Sequence, residues 1–267
     1  MRIKQLIRVR GIGDVTYFAG HYFINKLRSL RKATNYQAFR KNFKGKSGLE
    51  IGGPSKIFTA KGQLPIYDTI KGLDNVNYST YTVWTGKIVS SEGFKVGQLV
   101  VGKEFILGAT DLSKLKKGLY DFVISSNNFE HLANPLQAIK QFVRVTRSGG
   151  LLLIITPRKE SNFDHRRQIV SFGHLLDDYK HKVLEDDLTH FQEIIHNHDL
   201  KLDLAAGNRK NFLRRSRKNL KYRCLHHHVF DLAVLKKIFR FFGIKVIFTA
   251  QTHTDYIILG RIPKGIK

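Results

Sequence analysis

Between residues 47 and 157, short apolar runs alternate with stretches of helical spacing. Gly48-Leu49-Glu50-Ile51 is a short strand that runs into glycines, Asn75 to Tyr78 reads as a second strand, and Lys103 to Leu107 as a third. Tyr120 to Ser125 (YDFVIS) and Leu151 to Thr156 (LLLIIT) are buried strands with apolar cores, the pattern of strands covered on both faces. Pro135 to Val145 places Leu136, Ile139, Phe142 and Val143 on one helical face, and Ser148-Gly149-Gly150 turns the chain into the strand that follows. Strands separated by helical text predict βαβ units and a parallel sheet.

The flanks read differently. His21 to Phe43 sets Phe23, Leu27, Leu30, Tyr36 and Phe39 among basic residues, and much of it could form an amphipathic helix. Such a helix packs on the sheet domain, lies on an anionic membrane surface, or does both. From residue 158 to 225 apolar strand runs vanish and charged helical text takes over, which reads as a helical insertion or lid. Residues 229–243 are amphipathic through Val229, Leu232, Leu235, Ile238, Phe239 and Phe242 and stop at Gly243. Ile244 to Ala250 and Tyr256 to Ile262 predict a terminal antiparallel hairpin. The expected organisation is a basic N-terminal helical extension (1–46), a Rossmann-like core (47–157), the insertion (158–225), and a final helix and hairpin that complete the core (226–267). The expected fold class is α/β, with a mostly parallel seven-stranded sheet.

Charge changes the picture more than composition does. The 267 residues hold 46 Lys and Arg against 21 acidic residues, a formal net charge of +25. Twelve basic residues fall in 1–46 against the single acid Asp14, and eight fall between Asn208 and Arg223 with no acid. Such an excess suits an anionic partner: nucleic acid, acidic lipid, or a phosphorylated or acidic glycan. A Lys-rich composition with no bearing on partner choice is the alternative. The lone cysteine, Cys224, excludes an internal disulfide framework and a Cys-based zinc cluster. No run approaches the roughly 18–20 apolar residues that span a bilayer. The start Met1-Arg2-Ile3-Lys4 lacks the core of a signal peptide, so a cytoplasmic location is expected.

Leu49-Glu50-Ile51-Gly52-Gly53-Pro54-Ser55 joins a strand end, a carboxylate and a glycine turn. Glycines let a ligand approach the backbone, strand ends are where open α/β sheets bind ligands, and Pro54 suits the first turn of a helix. Further on, Tyr120 to Leu132 reads as strand, polar segment and Glu130-His131, followed by Asn134-Pro135 and, after the helix, Arg147-Ser148-Gly149-Gly150-Leu151-Leu152.

In these segments, roughly 48–157 plus the final hairpin, the chain resembles the class I S-adenosylmethionine-dependent methyltransferases. The resemblance implies that Glu50 orders the glycine loop, with Gly52 and Gly53 beneath the methionine end of S-adenosylmethionine. It implies a ribose contact at Asn77, where the family usually carries an acid, with Asp74 as the alternative. It implies an adenine contact at Asp111, in Gly108-Ala109-Thr110-Asp111-Leu112, and a wall of Ser125, Asn127 and His131 against cofactor and substrate. A helix N-cap is the other reading of Asp111. Pro54 stands where the family usually has another glycine.

The insertion supplies candidate bases. Glu185 to His190 brings Asp186, Asp187 and His190 together, and His226-His227-His228 precedes the last helix. Removing a hydroxyl proton as the methyl arrives needs a His or carboxylate, and Asp187, His190, His226 and His228 are the candidates. Three adjacent histidines cannot all face one site. A divalent metal held by Asp and His could also lower the hydroxyl pKa, but no compact ligand motif is present and no metal site is assigned. Asp164-His165-Arg166-Arg167 and Arg214-Arg215-Ser216-Arg217 read as anion clamps or as solvated basic faces. The insertion's text resembles methyltransferases found with bacterial surface-glycan enzymes. The expectation is therefore O-methylation of a sugar or related small acceptor, with an RNA methyltransferase and a non-catalytic binding module as the alternatives.

Overall fold

The computed structural model describes residues 11–29, 31–82, 86–88, 90 and 93–264. Arg2, Lys4, Arg8 and Arg10 of the basic extension lie outside the described residues, as does the whole Met1-to-Lys4 start.

The sheet is built from β1 (Ser47–Ile51), β2 (Gly72–Asn77), β7 (Glu104–Ile106), β8 (Tyr120–Ser126), β9 (Thr146–Pro157), β10 (Lys245–Gln251) and β11 (Asp255–Arg261). Two small hairpins, β3 (Tyr81–Thr82) with β4 (Gly86–Lys87) and β5 (Phe94–Val96) with β6 (Leu99–Gly102), fill the span between β2 and β7. The spatial order is β10-β11-β9-β8-β1-β2-β7. Strands β7, β2, β1, β8 and β9 run parallel, whereas β11 is antiparallel to both of its neighbours. This is the Rossmann-like α/β sheet that the strand pattern predicts. The chain leaves β1 toward β2 on one side and returns to β8 on the other, which makes the β1 edge the topological switch point.

Both faces are covered, and this explains the continuous apolar runs. Leu49, Ile51, Val123, Leu152, Ile154 and Ile258 face one core together with Leu136, Ile139 and Phe142 of α3 (Pro135–Val145) and Val234, Leu235, Ile238 and Phe239 of α8 (Leu232–Phe241). Phe122, Ile124, Leu151, Leu153, Ile155, Ile257 and Leu259 face the other, beneath Phe39 of α2 (Tyr36–Lys41), Phe43, Phe58 and Phe94. Phe142 has no solvent exposure, and its truncation to alanine would cost about 3–5 kcal/mol. Asn134 caps α3 by accepting from Gln137 N, with Pro135 in the first turn.

Several boundaries differ from the sequence reading. No α-helix follows β1: the Gly53–Pro54 peptide is cis, and Lys56–Phe58 makes one 3-10 turn. The Glu50 carboxylate accepts from both Ser55 N and the Tyr67 hydroxyl, which folds the segment back over the strand end. The N-terminal amphipathic stretch is broken into α1 (Ile12–Ser29) and α2, with Asn35 in the left-handed region at φ 59°. Phe39 and Phe43 enter the core, while Tyr22, Phe23 and Leu27 of α1 are exposed. The last helix starts at Leu232 rather than at 229, because Asp231 caps Val234 N and Val229 and Phe230 remain extended. The β5–β6 hairpin was not anticipated; it pairs only three or four residues per strand.

The insertion holds α4 (Phe172–Lys180), α5 (Phe191–Asn197), α6 (Arg209–Ser216) and α7 (Asn219–Tyr222). Ile194, Ile195, Ala206, Phe212, Cys224 and Leu225 form its own small core.

Candidate functional site: a cleft at the β1, β2 and β8 ends

A cleft opens at the carboxyl ends of β1, β2 and β8. Gly52, Asn77, Asn127 and His131 line it, joined by Leu132 and by Arg223 from the insertion. Register explains the meeting: Ile51 pairs with Val76 on one side and Ser125 on the other, and Gly52 N donates to Val76 O at 2.9 Å.

The glycine loop is built tightly. Gly52 sits at φ +81°, and a Cβ there would lie 2.6 Å from Asn128 Nδ2. A Cβ on Gly53 would lie 2.4 Å from the Glu50 carboxyl carbon. Glu50 stands behind the cleft wall; burial pushes its carboxyl up to about 7, against the bonds from Ser55 and Tyr67. Asn75 accepts from Gly53 N at 2.9 Å. Asn75 and Asn77 both donate to Glu104 of β7 at 2.9–3.0 Å. The carboxylate missing from the end of β2 is thus supplied by the neighbouring strand and holds the Asn77 amide in place. Asp74, the alternative ribose ligand, is not at the cleft: it accepts from Lys103 N and the Tyr120 hydroxyl and ties strands together. Asp111 is also outside the lining; its carboxylate is exposed and accepts from Ser113 N, a turn cap.

On the opposite wall, Asn127 takes φ 48° beside Gly52, and Asn128 Oδ1 is buried without a hydrogen-bond partner among the described residues; Ser125, wholly buried, lies behind the lining, and its Oγ is likewise unpartnered among them. Buried polar atoms left this way call for a partner. The unpartnered Asn128 oxygen at the lining fits a polar ligand in the cleft. Arg223 stacks on Tyr78 at 4.4 Å and pairs with Glu185 at 2.6 Å. Nothing in the sequence marked Arg223 apart from the other basic residues around it.

A match to the methyltransferase-domain family covers residues 21–247, most of the chain. The chain is a member of the methyltransferase-domain family. No curated protein matches it in sequence. Among solved structures, a SAM-dependent methyltransferase from Aquifex aeolicus is similar at 14% identity and TM-score 0.45, over 91% of this chain and 98% of that one. The N-methyltransferase NodS from Bradyrhizobium japonicum is similar at 12% identity and TM-score 0.46, over 86% and 98%. The family match makes the chain a methyltransferase.

The methyltransferase's three consecutive histidines reach three places. His226 packs edge-on against His131, ring centroids 4.6 Å apart, and sets Nδ1 2.5 Å from Asp164 Oδ2 and Nε2 3.9 Å from Glu130 Oε1. His227 meets Asn219 at 3.1 Å. His228 faces Asp178 at 3.2 Å in a group with His174 and His190. Asp187 is in neither group; its carboxylate accepts from Thr189.

Asp164 and Arg167 are buried, so they do not form the anion clamp suggested by their sequence. Arg167 donates to Glu193, to Asp164 Oδ1 at 3.1 Å, and to the carbonyls of His226 and His227. Its guanidinium is spent on holding the histidine segment. Arg166 is exposed and pairs with Asp199, and Arg215 pairs with Asp203. Burial opposes charge on Asp164, but His226 and Arg167 outweigh it and bring the carboxyl down to about 2. Burial likewise lowers His226, yet Asp164 and Glu130 hold it above its ordinary value. Burial pushes Glu130 up to about 7 and His131 well below its usual range.

Among the described residues, no helix is long and apolar enough to cross a membrane.

Proposed function

We propose that the enzyme methylates a hydroxyl oxygen of a sugar or related small acceptor, with His226 as the base. The Asp164–His226–Glu130 group behind the cleft wall carries this reading. A carboxylate only accepts, so the His226 Nδ1 that faces Asp164 carries hydrogen and Nε2 is left to receive a proton. Asp164, fixed by Arg167, plays the orienting part that a buried carboxylate plays toward a catalytic imidazole. Glu130 Oε1, 3.9 Å from His226 Nε2, is too far for a hydrogen bond and acts on the imidazole through its charge. His131, neutral and donating through Nδ1 to Leu225 O at 2.8 Å, lines the cleft and packs edge-on against His226, which does not line it, so the proton would reach His226 through one bridging water.

Gly52, Gly53, Asn77, Ser125 and Asn127 would hold S-adenosylmethionine, with Glu50 setting the loop. When bound, it supplies a methyl group made electrophilic by its sulfonium. The chain's own contribution is to align the two reactants and take one proton at His226 Nε2. Amide and guanidinium groups at Asn127, Asn128 and Arg223 suit a hydroxyl-rich or anionic acceptor. We place the enzyme in the cytoplasm. Exposed Tyr17, Phe23, Ile24 and Leu27 on α1 support peripheral contact with an anionic membrane, which sedimentation with phosphatidylglycerol vesicles tests.

The experiment is an acceptor panel of nucleotide sugars, short acidic oligosaccharides, small amines and RNA, read as release of S-adenosylhomocysteine and gain of one methyl by mass spectrometry. Methylation of a sugar hydroxyl is expected. Turnover on RNA alone, falling steeply with salt, would replace this reading with RNA methylation.

A further inference from the structure

His174 and Asp178 lie one turn apart on α4, His190 just before α5, and His228 in the extended segment leading to α8. Their ligand-type atoms all lie within 4.8 Å of one another. His174 Nε2 is 2.9 Å from His190 Nε2 and 3.3 Å from Asp178 Oδ2, and His228 Nε2 is 3.2 Å from the same oxygen. Four ligands at bond lengths of about 2.0–2.1 Å around a tetrahedral zinc stand roughly 3.3 Å apart. The three separations come within a few tenths of an ångström of that value.

Donor accounting points the same way. His228 Nδ1 is 3.2 Å from Leu132 O, a group that only accepts, so Nδ1 carries the hydrogen and the Nε2 lone pair points at the Asp178 carboxylate. Two acceptors then face each other in a place where His228 is 2% exposed. Only one hydrogen fits between the two Nε2 atoms of His174 and His190. A cation at the centre satisfies all four atoms at once. The carbonyl behind His228 is the outer partner that usually orients a metal-bound imidazole.

We propose that His174, Asp178, His190 and His228 bind one divalent transition-metal ion of the zinc class. Three nitrogens and one carboxylate oxygen suit zinc and its neighbours rather than calcium or magnesium. With four protein ligands the site is closed to substrate and acts as a clamp. It ties the α4 arm of the insertion to the segment that carries His226 two residues earlier, and so it positions the base without touching the acceptor. The clamp's positioning role rests on the methyl-transfer reading, whereas metal binding itself does not.

The test uses the full chain, stripped with chelator and titrated with Co²⁺ while visible absorption is followed. One equivalent of Co²⁺ giving tetrahedral bands, displaced by one equivalent of Zn²⁺, is expected. The melting temperature should then climb with free Zn²⁺, as binding to the folded state alone requires. Asp178→Asn and His190→Ala should each weaken Co²⁺ at least about tenfold. His181→Ala, an exposed histidine just past α4, should leave binding unchanged. Absence of tetrahedral bands in the wild-type protein would overturn the proposal whatever the variants do. So would bands that survive His228→Ala but vanish in His226→Ala, since the ion would then sit with Glu130 and His131.

Discussion

At the ends of β1, β2 and β8, the cleft is made from groups that are near neighbours in the chain or adjacent in the sheet register. Glu50 braces the loop by accepting from Ser55 N five residues on, and Asn77 is placed by a strand hydrogen-bonded to β1. The insertion works the other way. Asp164, Arg167, Glu193 and His226 come from distant segments and converge on one buried network. A site held by backbone register tolerates changes in side chains that do not crowd the ligand. A site held by buried charges depends on every member, because removing one leaves another unpaired in low dielectric.

The sharpest way to break this comparison is His226→Gln. Methyl transfer should fall about 10²–10⁴-fold, while S-adenosylmethionine affinity, measured by calorimetry, stays within a few-fold. In the wild type the rate should rise with pH as His226 loses its proton, above the ordinary imidazole range because Asp164 and Glu130 raise it against burial; the variant should lack that limb. A rate unchanged by the substitution would remove His226 as the base.

Arg167→Ala comes next. It strips a 3%-exposed guanidinium from Asp164 and from two carbonyls, and should cost about 3–5 kcal/mol in urea unfolding. A loss below about 1 kcal/mol would mean that the network is held some other way.

Glu50→Gln tests the cofactor side through pH. A carboxyl raised from 4.5 to about 7 in the folded chain favours the protonated folded state. Its contribution to stability is therefore complete below 4.5 and is lost as pH rises through about 7, by up to about 3 kcal/mol. The variant's melting temperature relative to wild type should climb between pH 4.5 and 7 and then level off. A difference that stays flat across this window would show that Glu50 ionises freely.

Gly53→Ala sharpens the comparison least but most locally. Its Cβ falls on the Glu50 carboxyl, so S-adenosylmethionine should bind at least about tenfold more weakly, roughly 1.4 kcal/mol, while circular dichroism stays native.

Much of this molecule follows from sequence. The apolar stretches Phe122–Ile124 and Leu151–Ile155 had to be strands covered on both faces, since a half-exposed strand alternates apolar and polar residues. The Gly52-Gly53 turn had to lie at a strand end, because glycines break the apolar run of Leu49 to Ile51 that forms β1. Tertiary structure alone decided what the polar residues do. Asp74 and Asn77 are three apart on one strand, so opposite faces and different neighbours send one to Tyr120 and the other to the cleft. Asp164 and Arg167 read as a solvent-facing clamp, but burial turns them inward to hold His226, and His226, His227 and His228 point to three different sites. Periodicity reports which residues leave water. It carries no record of which distant partner a buried charge meets, and here that partner fixes the chemistry.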